Sequence, residues 1–157
     1  MRILILGGDG YLGWPTAMHL SAKGHDVVIA DNYLRRTMAQ SIDSEVLFPV
    51  PNMHQRAAKW KEKSGCDIEV HVVDLADQQQ CDAIFAAIKP EVVVHYAEQP
   101  SAPYSMLNNQ ASHLTLHNNL GVTLNTILGV RNHCPDCHLI KLGTMGEYGT
   151  PNVDIPE

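Results

Sequence analysis

No apolar run in this chain is long enough to cross a bilayer, and the one at its start is too short for the core of a signal peptide. With no other targeting segment in view, a cytoplasmic location is expected. Cysteine is sparse: Cys66, Cys81, Cys134 and Cys137 are too few and too scattered for the disulfide scaffold of a small secreted domain. Basic residues number 11 against 17 acidic ones, and the net charge of −6 disfavours nucleic acid or an anionic membrane as the main partner. Internal repeats and low-complexity tracts are also absent. What these absences leave is an intracellular globular domain of 157 residues, 45% of them hydrophobic, enough to form a core of its own.

The only cysteine spacing that points to chemistry is His133-Cys134-Pro135-Asp136-Cys137-His138. Six consecutive residues cannot easily wrap their four ligand side chains around one ion. A redox C-x-x-C opens a helix, whereas this one closes a helical pattern and enters a strand. The expectation is therefore a loop, without metal.

The informative segment is the first one. Arg2 to Leu6 is a short apolar run suited to a strand buried on both faces, and Gly7, Gly10 and Gly13 follow at G-x-x-G-x-x-G spacing before a helical pattern from Pro15 to Lys23. Glycine permits the tight turn, the approach of a pyrophosphate to the main chain, and the packing of helix on strand. The helix start adds unpaired N–H groups and a positive dipole end. A second strand, His25 to Ala30, then ends in Asp31, about 20 residues on, where an acid meets an adenosine ribose. A carboxylate there accepts from the 2′-hydroxyl of NAD and repels the 2′-phosphate of NADP, although Arg35 and Arg36 close by soften that discrimination.

The alternation continues. Asp67 to Asp74, Glu91 to Tyr96 and His138 to Leu142 read as further strands, separated by helical patterns at Gln78 to Ile88 and Ala111 to Asn132. This series predicts an α/β fold, a doubly wound parallel sheet with helices on both faces and ligands beyond the carboxyl ends of the strands. Residues 33–66 form a long excursion with a helix at Met53 to Lys63, whose basic face is either plain solvated surface or a cover for the adenosine end. In the last long helix, Leu114, Leu116, Leu120, Leu124, Ile127 and Leu128 recur at helical spacing and are expected to pack on the sheet. His71 and His95 fall on strands and read as core or supporting groups, and His117 on a helix.

Several segments are more particular than a glycine turn: GGDGYLGW at Gly7 to Trp14, Asp31-Asn32 with Arg35-Arg36, Arg56 to Trp60, Glu98-Gln99 before SAPYSM at Ser101 to Met106, His117-Asn118-Asn119, and KLGTMGEYGTP at Lys141 to Pro151. On these residues the chain resembles the N-terminal part of the UDP-sulfoquinovose synthase family, extended short-chain dehydrogenase/reductases of the NAD-dependent nucleotide-sugar epimerase/dehydratase superfamily. The resemblance implies a Rossmann-like domain at 1–157 that stops before the substrate domain. It implies NAD as cofactor, a UDP-sugar substrate with UDP-glucose foremost, sulfite as co-substrate, and a homodimer. The implied reaction oxidises C4, removes water across C5 and C6, adds sulfite at C6 and restores C4.

By the same resemblance Gly7, Asp9, Gly10, Tyr11, Leu12, Gly13, Asp31, Asn32, Arg35, Asp74, Leu75, Tyr96 and Asn119 line the cofactor, while Gln99, Ser101, Met145, Gly146 and Tyr148 face the sugar. Thr144 matches the hydroxyl member of a Thr-Tyr-Lys catalytic set. Sugar 4,6-dehydratases carry an Asp-Glu pair where Met145 and Gly146 stand here. Glu147 follows one place late, and either acts on the substrate or braces Tyr148.

The chain departs from the family pattern at Pro100, where an arginine is common, and at Gly121-Val122-Thr123, where the glycine after Asn119 is shifted. No tyrosine has a lysine four places on, so the stretch ending in NVDIPE is not expected to turn over alone. Two other readings stay open: a different NAD-dependent UDP-sugar epimerase or dehydratase, and a dinucleotide-binding module without catalysis.

Overall fold

The computed structural model describes residues 1–44 and 47–143. Five strands, β1 (Arg2–Leu6), β2 (Asp26–Asp31), β3 (Glu69–Val72), β4 (Val92–His95) and β5 (His138–Lys141), form one sheet in the order β3-β2-β1-β4-β5. Every pairing is parallel. The chain steps outward from β1 to β3 and then returns to the other side of β1, so the direction of winding reverses between β1 and β4. Doubly wound sheets bind ligands at such a reversal, beyond the strand ends.

Side chains alternate between two buried faces, as parallel strands require. Leu4, Leu6, Val28, Ala30 and Val93 pack with Phe85 and Ile84 of α4 (Gln78–Ile88) and Val122 of α6 (Asn109–His133). On the opposite face Ile3, Ile5, Val27, Ile29 and Val94 pack with Ala17 of α1 (Gly13–Ala22) and Met53 of α3 (Met53–Ser64). The α/β, Rossmann-like reading of the sequence is thus what the chain adopts.

Two helices lie outside the periodic pattern: α2 (Leu34–Ser41) and the single turn α5 (Ala102–Ser105). Both follow local side-chain-to-backbone bonds, a turn at Asn32 ahead of α2 and a cap by Ser101 on α5. The Asn32 side chain accepts from the Leu34 N–H at 2.9 Å ahead of α2, and Ser101 Oγ accepts from the Tyr104 N–H at 3.3 Å over α5. Similarly α6 begins at Asn109, two residues before the apolar pattern, because Asn108 caps it through the Ala111 N–H at 2.9 Å.

One expectation for α6 is overturned. Leu116, Leu120, Leu124 and Ile127 point to solvent, between 49% and 64% exposed, and the packed face is Ala111, Asn118, Val122, Asn125, Thr126 and Gly129. Close approach explains the choice: a Cβ on Gly129 would lie 2.5 Å from the Phe85 ring of α4. Bulky leucines cannot occupy a face that tight, so small and polar residues do.

Candidate functional site: a glycine cradle and its two clamps

The turn after β1 is held open by absent side chains. Gly7 has φ +87, in the left-handed region, and a Cβ there would lie 2.7 Å from the carbonyl carbon of Tyr96. A Cβ on Gly13 would overlap the Gly7 carbonyl oxygen, so α1 starts directly against the turn. Gly10 closes the loop, donating its N–H to Gly7 O at 3.2 Å. Among the described residues, the N–H groups of Tyr11 and Leu12 have no hydrogen-bond partner. Two free amides at a helix N-terminus, in a turn where Gly7, Gly8, Gly10 and Gly13 carry no side chain, suit a diphosphate.

Asp31 ends β2 beside this turn. One carboxylate oxygen accepts the Asp9 N–H at 3.0 Å and the other the Tyr33 N–H at 2.7 Å. Burial pushes its carboxyl above the usual aspartate value, opposed by those two N–H groups; nearby Asp9 also raises it and Arg36 lowers it. Asn32 donates to Asp74 Oδ1 at 3.1 Å, tying the ends of β2 and β3 together. The same Asp74 oxygen accepts the Ala76 N–H at 3.0 Å. Leu75 is a core residue whose carbonyl, in the turn three residues past β3, accepts from Asn125 Nδ2 at 3.0 Å. Tyr96 continues the β1–β4 ladder through its N–H to Leu6 O at 2.8 Å. Arg35 is exposed, 5.9 Å above the ring of an equally exposed Tyr11.

The sequence pattern did not reveal what Asp9 does. Arg36 grips its carboxylate with Nε and Nη2, each at 2.7 Å, and also donates to Val50 O at 2.7 Å and Pro51 O at 2.9 Å. Arg56, from α3, donates to the same carboxylate and lies 4.5 Å over the Trp14 ring. Its own pKa is lowered, chiefly by burial, against the pull of Asp9. The helix at 53–64 therefore contributes one inward cation, while Lys59 pairs with Glu62 and Lys61 with Asp67 in solvent. Met53, fully buried, and Trp60, bonded to Ser21 Oγ at 2.9 Å, complete the docking of α3.

Beyond β4 lies a second clamp, made of amides. Asn119 holds the backbone of Gln99 at both ends, accepting its N–H at 2.8 Å and donating to its carbonyl at 3.0 Å. The Gln99 side chain, 5% exposed, donates to Thr115 Oγ1 at 2.8 Å and Ser101 O at 3.0 Å and accepts the Ser101 N–H. Gln99, Ser101 and Asn119 are thus brought together, with the glutamine turned inward. Beneath them His95 is buried; its Nδ1 accepts the Ala97 N–H at 3.2 Å, and burial pushes its pKa down to about 4. It is a core group, while His71 pairs with Glu69 at 2.6 Å on β3. Thr144, Met145, Gly146, Glu147 and Tyr148 lie outside the described residues.

Comparison with known proteins agrees with this architecture. The chain is 43% identical to a chloroplastic UDP-sulfoquinovose synthase of Spinacia oleracea over 99% of its length, which is 32% of that protein. It is 43% identical to the UDP-sulfoquinovose synthase of Sulfolobus acidocaldarius, over all of this chain and 40% of the relative. The chain therefore spans 32% to 40% of the length of these relatives. Among solved structures, UDP-glucose 4-epimerase of Bifidobacterium longum, in complex with NAD+ and UDP, superposes with a TM-score of 0.73 at 23% identity, over 98% of this chain and 40% of that one. The UDP-Glc/GlcNAc 4-epimerase of Campylobacter jejuni gives 0.70 at 26% identity, over 97% and 40%. Residues 3–157 match the model of the NAD dependent epimerase/dehydratase family, and the chain belongs to that family.

Proposed function

We propose that this chain is the coenzyme-binding part of an NAD-dependent enzyme that converts UDP-glucose and sulfite into UDP-sulfoquinovose. The observation that carries the reading is the cradle itself: the glycine turn, the free Tyr11 and Leu12 amides and the half-buried Asp31 lie together in a chain 43% identical to two synthases of that name. The diphosphate would rest on those amides, and Asp31 would accept from the adenosine ribose. Asn32 and Asp74, tied to each other, would border the adenosine end, with Arg35 over Tyr11 at its rim.

When bound, NAD+ supplies a two-electron oxidant for C4 of the sugar. The chain's own contribution is to hold and orient. Gln99, through its amide clamp, fixes the loop carrying Ser101 at the end of β4, where the sugar would enter. Thr144 is the proposed hydrogen-bond partner of the 4-hydroxyl, and Glu147, Met145, Gly146 and Tyr148 the neighbours of C5 and C6. The intact protein, incubated with UDP-glucose and sulfite, should release a sulfonated nucleotide sugar detectable by mass spectrometry. Conversion of UDP-glucose to another hexose nucleotide without sulfonation would replace this reading by that of an epimerase or dehydratase, which Pro100 would fit.

A further inference from the structure

Asp31 sets a preference for NAD only if nearby cations do not offer a 2′-phosphate an alternative, and two arginines stand within reach of it. Arg36 and Arg56 both influence the Asp31 carboxylate electrostatically. Both are already committed. Four hydrogen bonds, two to Asp9 and one each to Val50 O and Pro51 O, use the Arg36 guanidinium almost completely. Arg56 is pinned between the Asp9 carboxylate and the Trp14 ring. Asp9 itself abuts the ribose acid, because its N–H donates to Asp31 Oδ2. Two acids and two guanidiniums thus make a cluster of zero net charge, with side chains of Asp9 and Arg56 only 10% and 13% exposed.

Resting on the NAD reading above, we propose that Asp9 is a coenzyme-specificity residue: it holds Arg36 and Arg56 away from the 2′-position and so excludes NADP. Removing its charge frees two forks suited to a phosphate and leaves a net positive cluster beside the ribose. A 2′-phosphate, bringing between about −1.5 and −2 charges, would then find partners instead of two carboxylates.

The test is calorimetric titration of the intact protein with NAD+ and NADP+, at fixed ionic strength, for wild type, Asp9→Asn, and Asp9→Asn combined with Arg36→Gln or with Arg35→Gln. Wild type should favour NAD+. Asp9→Asn should shift the ratio of the two dissociation constants toward NADP+ by about tenfold or more, a difference of roughly 1.4 kcal/mol. Arg36→Gln should erase most of that gain, and Arg35→Gln should leave it. Asp9→Ser gives the same readout where thermal melting shows that Asp9→Asn does not fold. A ratio unchanged within about threefold in a folded Asp9 variant overturns the proposal while leaving the NAD reading intact. Failure of wild type to bind either nucleotide overturns both.

Discussion

The two clamps at the carboxyl edge of the sheet do the same mechanical job with opposite materials. The Asp9 clamp is ionic and draws in residues 27 and 47 positions away. The Gln99 clamp is neutral, spans at most 20 positions, and centres on a side chain that is itself buried. Burial accounts for the difference. Fixed charges in a dry site must recover a large desolvation cost, whereas amides that satisfy one another do not. The ionic clamp sits at the rim, where Arg36 is 32% exposed and water lowers the cost of holding charge. One edge of the sheet thus carries a partly solvated ionic network on one side and a neutral amide network that fixes a loop on the other.

The largest effect is expected at Gln99. Gln99→Leu removes its side-chain bonds to Thr115 Oγ1 and to both Ser101 backbone groups, stranding partly buried polar groups around an apolar side chain, although Thr115 keeps its bond to Ala111 O. The expected loss is about 4 kcal/mol of folding free energy by denaturant melting, since each stranded group costs on the order of 1–3 kcal/mol. That loss should not depend on salt. A loss under about 1 kcal/mol would mean that water replaces the glutamine, and that the clamp is not dry.

His95, lying below the amide clamp, supplies a pH test that the amides cannot. Its folded pKa, about 4, lies below the unfolded value of 6.5, so the neutral form stabilises the fold above pH 6.5. That stability is lost as pH falls from 6.5 toward 4, where the unfolded chain binds the extra proton. The gap corresponds to roughly 3 kcal/mol at most. His95→Asn should flatten the dependence of melting temperature on pH in this window; an unchanged slope would assign the titration elsewhere.

At the ionic clamp the effect should be smaller and salt-dependent. Arg56→Met keeps part of the stacking surface over Trp14 and leaves Asp9 held by Arg36, so about 1–2 kcal/mol should be lost, less in high salt. Proteolysis within 47–52 checks this, because the segment is fastened through Arg36 to Val50 O and Pro51 O and ends at the start of α3. If cleavage there does not speed up, Arg36 alone secures the excursion.

What a sequence records of its fold depends on the range of the contacts involved. The strands were visible because apolar runs such as RILIL and EVVVHY record their own burial, and Asp31 because its distance from the glycines is a property of one βαβ unit. What the sequence hid depends on contacts made from afar. Nothing local separates Arg56 from Lys59, Lys61 and Lys63, yet Arg56 alone among these four reaches Asp9. The leucine stripe of α6 read as its buried face because periodicity reports amphipathicity without saying which neighbour approaches, and Phe85 at Gly129 decided otherwise. Gln99 stands out by motif as a substrate contact, whereas its inward turn is set by Thr115 and Asn119, 16 and 20 positions on in α6.

The smallest effect belongs at the opposite end of the sheet, where Arg2 donates to Asp26 at 3.0 Å and Glu69 at 3.1 Å, stitching β1 to β2 and β3. This cluster inverts the other one, with one arginine between two acids, and its side chains are between 36% and 55% exposed. Water already solvates these charges, so Arg2→Gln should cost only about 0.5 kcal/mol, and still less at high ionic strength. It should leave any coenzyme preference untouched. A cost equal to that of Arg56→Met would show that exposure does not separate the two ionic clusters, and the depth of the Asp9 clamp would no longer explain its strength.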